Sequence, residues 1–168
     1  TLGEFSPNSL MTGNWEEASA ISLAQQKQNE WRSFTLFKIE DESDDIRSFY
    51  LKPSDTGVLL PFEAGQYLTM KVSPTQASKS LRTYTISSAP NEAYYRISVK
   101  KEDEGTVSQY LHNHLQQGDL IEIKAPKGNF YINALEKRPA VLIAGGVGIT
   151  PMISMALHVY NEGVKYAN

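Results

Sequence analysis

Three short stretches carry side chains that could act together on one ligand. The first is "LRTYTISSAP", residues 81–90. Thr83, Thr85 and Ile86 favour a strand, and Ala89-Pro90-Asn91 ends it. Successive strand residues point to opposite faces, so Arg82 and Tyr84 point the same way. An exposed edge with a solvated charge would explain that pair, and so would a ligand with a phosphate and a flat ring. The second stretch is "GGVGITP", residues 145–151. Gly145, Gly146 and Gly148 let backbone N–H groups come close to a pyrophosphate, and the start of a helix adds partial positive charge. Thr150 is expected as the helix N-cap and Pro151 as its first residue. The spacing is not that of the G-x-G-x-x-G dinucleotide fingerprint, so a tight turn before a helix remains an alternative. The third stretch is "EGTVSQ", where Gly105 precedes Thr106, Val107 and Ser108. It offers a free backbone, two hydroxyls and a helix start, although ordinary capping would use the same residues.

The elements that must position these stretches are mostly short strands. "SFTLFKIED", "IRSFYLKP", "GQYLTMKVS", "SLRTYTIS", "YYRISVKKE" and "DLIEIKAP" follow one another at fairly regular spacing with turn signals between them. That pattern predicts a small antiparallel barrel or sandwich. A helix interrupts it at "TVSQYLHNHLQQGD", with Val107, Tyr110, Leu111 and Leu115 on one face and Gly118 suited to the C-terminal cap. Upstream, residues 1–32 read as linker plus a connecting helix over 14–31, with Asn14 as N-cap and Glu17 completing a capping box. Residues 33–137 form the β-rich unit, and a boundary is placed near Lys137. Beyond it, "AVLIA" reads as a buried parallel strand, and "PMISMALHVY" as a helix burying Ile153, Ala156, Leu157 and Tyr160. Residues 138–168 thus read as the first βα unit of a nucleotide-binding fold, incomplete because the sequence stops before a second.

Composition narrows the function classes. The chain has 168 residues, 40% hydrophobic and 21% charged, as in a folded globular protein. A net charge of −3 argues against general nucleic-acid binding. There is no cysteine, which excludes thiolate chemistry and a cysteine-held iron–sulfur cluster within these residues. No apolar run reaches the length of a membrane span, and a cytoplasmic setting is the simple expectation. The sequence begins at Thr1 and ends abruptly at Asn168, which reads as a piece of a larger polypeptide. His112, His114 and His158 lie on predicted helices without clustered carboxylates, so no metal site is expected. The acidic run "EDESDD" reads as a solvated hairpin loop, Lys79 as a surface lysine, and Trp15 and Trp31 as anchors of the N-terminal helix.

Taken in order, GQY, R-x-Y-T, ISVK, G-x-V-S and GGVGITP resemble the ferredoxin–NADP reductase superfamily, most closely the reductase part of flavohaemoglobin-like oxidoreductases. The resemblance runs from about Trp31 to Asn161. It implies a six-stranded antiparallel Greek-key barrel with one capping helix that binds FAD, followed by an α/β domain for NAD(P)H. It implies that Arg82 holds FAD phosphates, Tyr84 packs on the isoalloxazine, and Thr85, where many relatives have Ser, bonds near the flavin N5. Tyr67 would contact the flavin nucleotide. Ser98, Val99 and Lys100 would line the site through their backbone, and Gly105, Val107 and Ser108 would cradle the pyrophosphate. Gly145, Gly146, Gly148 and Thr150 would receive the nicotinamide nucleotide, with Thr150 near the point where the two rings meet. Tyr84, Thr85 and Thr150 are therefore the expected catalytic positions. The implied activity is FAD-dependent oxidation of NAD(P)H, with electrons passed to a haem, iron–sulfur or other one-electron acceptor on the same chain or another. The rival expectations are a nucleotide-binding module without reductase activity and a protein-interaction barrel.

Overall fold

The computed structural model describes residues 29–75, 78–91, 93–133, 136 and 139–167, with side chains omitted at 75, 78, 79 and 164–167. The N-terminal linker, the 14–28 part of the expected connecting helix, Trp15 and the side chain of Lys79 lie outside these residues. Six strands form: β1 (Arg32–Asp41), β2 (Ile46–Pro53), β3 (Tyr67–Thr75), β4 (Ser78–Thr85), β5 (Tyr95–Lys100) and β6 (Leu120–Lys127). They make one antiparallel sheet in the order β4-β3-β6-β1-β2-β5. The acidic run turns the β1–β2 hairpin, closed by Glu42 N–H on Ile46 O at 2.9 Å. Alternation places Phe34, Leu36, Phe49, Leu51, Leu68, Met70, Ile97 and Ile123 inside, all at most 3% exposed.

The sheet curls until its two edge strands approach, but they join only at one bridge, Ile86–Ile97. Ser87 N–H donates to Arg96 O across that bridge at 2.7 Å, while Ile86 N–H turns the other way, to Gln66 O at 2.9 Å. Backbone direction alternates along a strand, so the polar groups of Thr83 on β4 and Lys100 on β5 face each other across the remaining gap. That gap is the feature on which the functional site is built. Edge groups left unpaired in this way demand another partner.

Helix α1 (Thr106–His114) covers one end of the barrel, burying Val107 and Leu111 as its pattern predicts. It ends earlier than expected. Leu115 leaves the helix in an extended conformation to pack against the core, so Gly118 is not its cap. Gly118, at φ 97°, instead serves the turn into β6, where its N–H reaches Leu36 O at 2.8 Å.

The C-terminal segment departs furthest from expectation. Residues 140–144 form no strand, and Val141 and Ile143 are 86% and 81% exposed. A strand needs a neighbour to complete its hydrogen bonds, and none of the described strands lies beside this run. A 3₁₀ turn at Gly146–Gly148 leads into helix α2 (Ile149–Ala167). This helix meets the barrel through Ser154 and Met155, not through the apolar stripe. Ser154 Oγ donates to Ser88 O at 2.7 Å in a buried contact. Gly65, at φ 113°, admits Met155: a Cβ there would lie 2.6 Å from Met155 Cε. Of the expected stripe only Ile153 is partly buried, while Ala156, Leu157 and Tyr160 are exposed.

Candidate functional site

The open seam between β4 and β5 widens into a cleft of about 520 Å³, within the usual range for small-molecule sites. One wall is β4, which contributes Arg82, Thr83, Tyr84 and Thr85. The register pairs Arg82 with Met70 and Tyr84 with Leu68, so these two side chains share the face of the core residues of β3. Thr83 and Thr85, opposite Thr69 and Tyr67, occupy the other face. All four reach the cleft because it enters through the strand edge and not over one face. Tyr84 packs partly on the core, and burial raises its phenol pKa above the ordinary range while Arg82 opposes that rise. Among the described residues no carboxylate pairs with Arg82, whose Nη1 bonds only the adjacent Leu81 O at 2.9 Å. A cation left free at the rim of a cleft is suited to an anionic ligand.

The second wall is β5 with Ser98, Val99 and Lys100, and the floor beyond it is the start of α1. Gly105, Thr106, Val107 and Ser108 all line the cleft. No side chain caps this helix, so its first N–H groups lack intrahelical partners. The hydroxyl of Ser108 is occupied in shaping the turn. It donates to Gly105 O at 3.0 Å and accepts Glu102 N–H at 3.1 Å. That explains Gly105: any Cβ there would overlap Ser108 Oγ and lie 2.8 Å from Glu102 Cβ. The glycine keeps the helix start bare and the hydroxyl in place.

The third wall comes from the α2 start, with Val147, Gly148, Thr150 and Pro151. Thr150 lies inside the first turn of α2, and its hydroxyl donates to Val147 O at 3.0 Å; it is not the N-cap. The helix begins two residues before Pro151 because the 3₁₀ turn feeds directly into it. Pro151 is tolerated there because the first turn needs no N–H from it.

Of the residues singled out in the sequence, the cleft therefore gathers Arg82, Tyr84, Thr85, Ser98, Val99, Lys100, Gly105, Val107, Ser108, Gly148 and Thr150. It does not gather Tyr67, Gly145 or Gly146. Tyr67 pairs with Thr85 across the strands and lies against Gly128, where a Cβ would be 3.1 Å from its ring. Gly145 is extended and Gly146, at φ 54°, makes the bend that delivers Gly148 to the cleft. Sequence reasoning missed Thr83, Glu102 and Val147 and read Pro151 only as a helix residue, whereas Thr106 was already offered as a hydroxyl beside Ser108. The first could have been found from its place between Arg82 and Tyr84 on an edge strand. Glu102 could not, because an acid beside an anion site is unexpected; its carboxylate lies 3.8 Å from Lys100 Nζ, which offsets its charge.

The geometry agrees with the comparisons to known proteins. The model of the "Oxidoreductase FAD-binding domain" family matches residues 24–132. The flavohemoprotein of Halalkalibacterium halodurans is 45% identical over 158 residues, 90% of this chain and 38% of that protein. The flavohemoprotein of Bacillus subtilis is 51% identical over 127 residues, 75% of this chain and 31% of that protein. The chain thus spans less than two-fifths of these relatives' length. Among solved structures, the flavohem-like FAD/NAD binding domain of nitric oxide dioxygenase from Vibrio cholerae superposes with TM-score 0.74 at 38% identity. That match covers 78% of this chain and 57% of the other. Phthalate dioxygenase reductase, described as transferring electrons from pyridine nucleotides to [2Fe-2S], gives TM-score 0.71 at 33% identity, over 82% and 42% of the two chains. A cleft between two edge strands, floored by a bare helix start and matched by these relatives, identifies the chain as a member of the oxidoreductase FAD-binding domain family, of the ferredoxin–NADP reductase type.

Proposed function

We propose that the cleft holds FAD and that the chain serves an FAD-dependent NAD(P)H oxidoreductase, passing electrons to a haem or iron–sulfur partner. The observation that carries this reading is the convergence of two helix starts, α1 and α2, on one seam that also presents a half-buried ring and a guanidinium with no carboxylate partner among the described residues. The residues fit the group. Arg82 and the bare N–H groups of Thr106, Val107 and Ser108 would bind its pyrophosphate. Tyr84 would stack on its ring, and the backbone of Thr83 and Lys100 would bond its polar edge. Thr85 offers a hydroxyl at the closed end of the seam, and Gly148 and Thr150 leave the opposite side open for a nicotinamide nucleotide. Bound FAD would supply the redox chemistry, accepting a hydride and giving up single electrons. The chain's share is to orient, to bind and to exclude water.

The domain division is part of the proposal: residues 33–137 as the FAD barrel and 138–168 as the start of an NAD(P)-binding unit whose strand 140–144 pairs when its neighbours are present. The exposure of Val141 and Ile143 supports it. The haem or iron–sulfur acceptor rests on what the relatives' names state. No described helix is long and apolar enough to cross a membrane, and a cytoplasmic location completes the reading. The test is titration of the purified chain with FAD, followed by flavin fluorescence. Arg82→Ala should weaken binding by about 1.5–3 kcal/mol, or roughly ten- to a hundredfold. Unchanged affinity would remove Arg82 from the site, and failure of the parent chain to take up FAD would overturn the proposal.

A further inference from the structure

A line of hydroxyls leads from the cleft wall to the protein surface. Ser98, on the β5 wall, has its Oγ 2.7 Å from Ser48 Oγ. Ser48, on β2, donates to Glu42 Oε1 at 2.6 Å. Glu42 is exposed, just beyond β1. Ser48 itself is 0% exposed, so no bulk water reaches the middle of the line. Ser87, also 0% exposed, flanks it, with its Oγ 2.8 Å from Ser98 Oγ and held by Arg96 Nε at 3.1 Å.

The directions of these bonds follow from the carboxylate. An ionised Glu42 can only accept, so Ser48 must spend its one proton on it. Ser48 can then only accept from Ser98, which must spend its proton on Ser48. Every hydroxyl hydrogen on the line therefore points outward, and the Ser98 oxygen is left with lone pairs for a donor on the cleft side or for Ser87. Such a line is set to pass a proton outward. As Ser98 takes one on its oxygen, its own hydrogen moves to Ser48, and the hydrogen of Ser48 moves to Glu42.

We propose that Ser98, Ser48 and Glu42 form a proton exit from the flavin cleft to solvent, with Glu42 as terminal base. The proposal rests on the reading of the cleft as an FAD site. A flavin that takes up one hydride and releases two electrons singly has one proton left to return to water in each cycle. The chemistry balances with no further reagent. The two electrons go to the one-electron acceptor, the proton crosses the three residues, and Glu42 gives it to water. Glu40, two residues before Glu42, is off the line: it accepts instead from Lys38 Nζ at 2.9 Å and Tyr50 Oη at 2.6 Å.

The test uses the full chain loaded with FAD and reduced photochemically. It is mixed with excess ferricyanide in weak buffer containing a pH indicator, so that flavin absorbance and proton release are followed separately. Glu42→Gln keeps an oxygen for Ser48 to bond but removes the base, at an exposed position. Proton release should slow by about tenfold or more. The solvent deuterium isotope effect on release should change as well, with FAD affinity unaltered. Ser48→Ala, which breaks the line away from the cleft, should give the same result, and Glu40→Gln should leave release at the parent rate. Proton release at the parent rate in Glu42→Gln would overturn the exit, as would equal slowing in Glu40→Gln, which would mark a general effect of surface charge. A parent chain that takes up no FAD would instead overturn the flavin reading beneath it.

Discussion

Gly105 offers the sharpest test of how the cleft floor is built. In Gly105→Ala the new Cβ would overlap Ser108 Oγ and lie 2.8 Å from Glu102 Cβ. The Glu102 Cβ belongs to the backbone path and has little room to move, so the short Ser108 side chain must rotate away. Rotation breaks two bonds, to Gly105 O at 3.0 Å and from Glu102 N–H at 3.1 Å. At about 1 kcal/mol each the loss is roughly 2 kcal/mol. The reduced freedom of the unfolded chain returns about 0.4–1 kcal/mol, because the φ of −83° at this position suits alanine. The net destabilisation is about 1–1.6 kcal/mol, a fall in Tm of roughly 2–6 °C by calorimetry for a chain of this size. The effect on FAD should be larger. If the turn shifts enough to cost one charge-assisted bond from the bare helix start, affinity falls by about 1.5–3 kcal/mol, or roughly ten- to a hundredfold. A double-mutant cycle with Ser108→Ala isolates the cause. With the hydroxyl gone, alanine at 105 should cost about 1–2 kcal/mol less stability than it does in the parent. Parent-like Tm and FAD affinity in Gly105→Ala would refute the reasoning. Additive effects in the cycle would refute the role given to Ser108.

Two further outcomes follow from contacts around the cleft. Ser154→Ala leaves the buried Ser88 carbonyl without the 2.7 Å bond that ties α2 to the barrel. It should cost about 1–2 kcal/mol locally, seen as roughly five- to thirtyfold faster amide exchange over the first turns of α2; unchanged exchange would place the anchor elsewhere. His112 Nε2 bonds Val99 O at 2.9 Å, and burial holds its pKa below the ordinary 6.5, against the smaller upward pull of that bond. Just below pH 6.5 the unfolded chain therefore takes up a proton that the folded chain does not, so stability should fall as pH drops through that window and level off below the folded pKa. His112→Gln, which retains a donor for Val99 O, should flatten this slope in denaturant titrations between pH 7 and 5. A slope identical to the parent's would assign it to other groups.

The strands were legible because alternation and turn chemistry are local. The hairpin "KIEDESDDIRS" declares its own register, and β2 ends where its sequence says it should. The cleft-lining residues were legible for a related reason: Arg82, Gly105 and Gly148 are residue types that an ordinary strand or turn does not need. What was not legible is whatever depends on a partner remote in sequence. The run 140–144 has the composition of a buried strand, but composition cannot supply the neighbour that would bond it. The apolar stripe of α2 was assigned inward because its period is helical, yet Ser154 and Met155 carry the contact: Gly65, far away, has the positive φ and the space to receive Met155. The serines show the same limit at finer scale. In the sequence Ser98 reads as lining the site through its backbone, and nothing marks Ser48 or Ser87 as its partners. The pairing of Ser48 with Ser98, together with the bridge at Ile86–Ile97, turns them into one buried line. The cleft itself is a pairing that fails to form, since β4 and β5 meet at one bridge and then part. A sequence can show residues that want a ligand, but a gap between strands exists only once every other pairing has been made. For that reason one seam can gather side chains of β4, β5, α1 and α2 that lie far apart in the sequence.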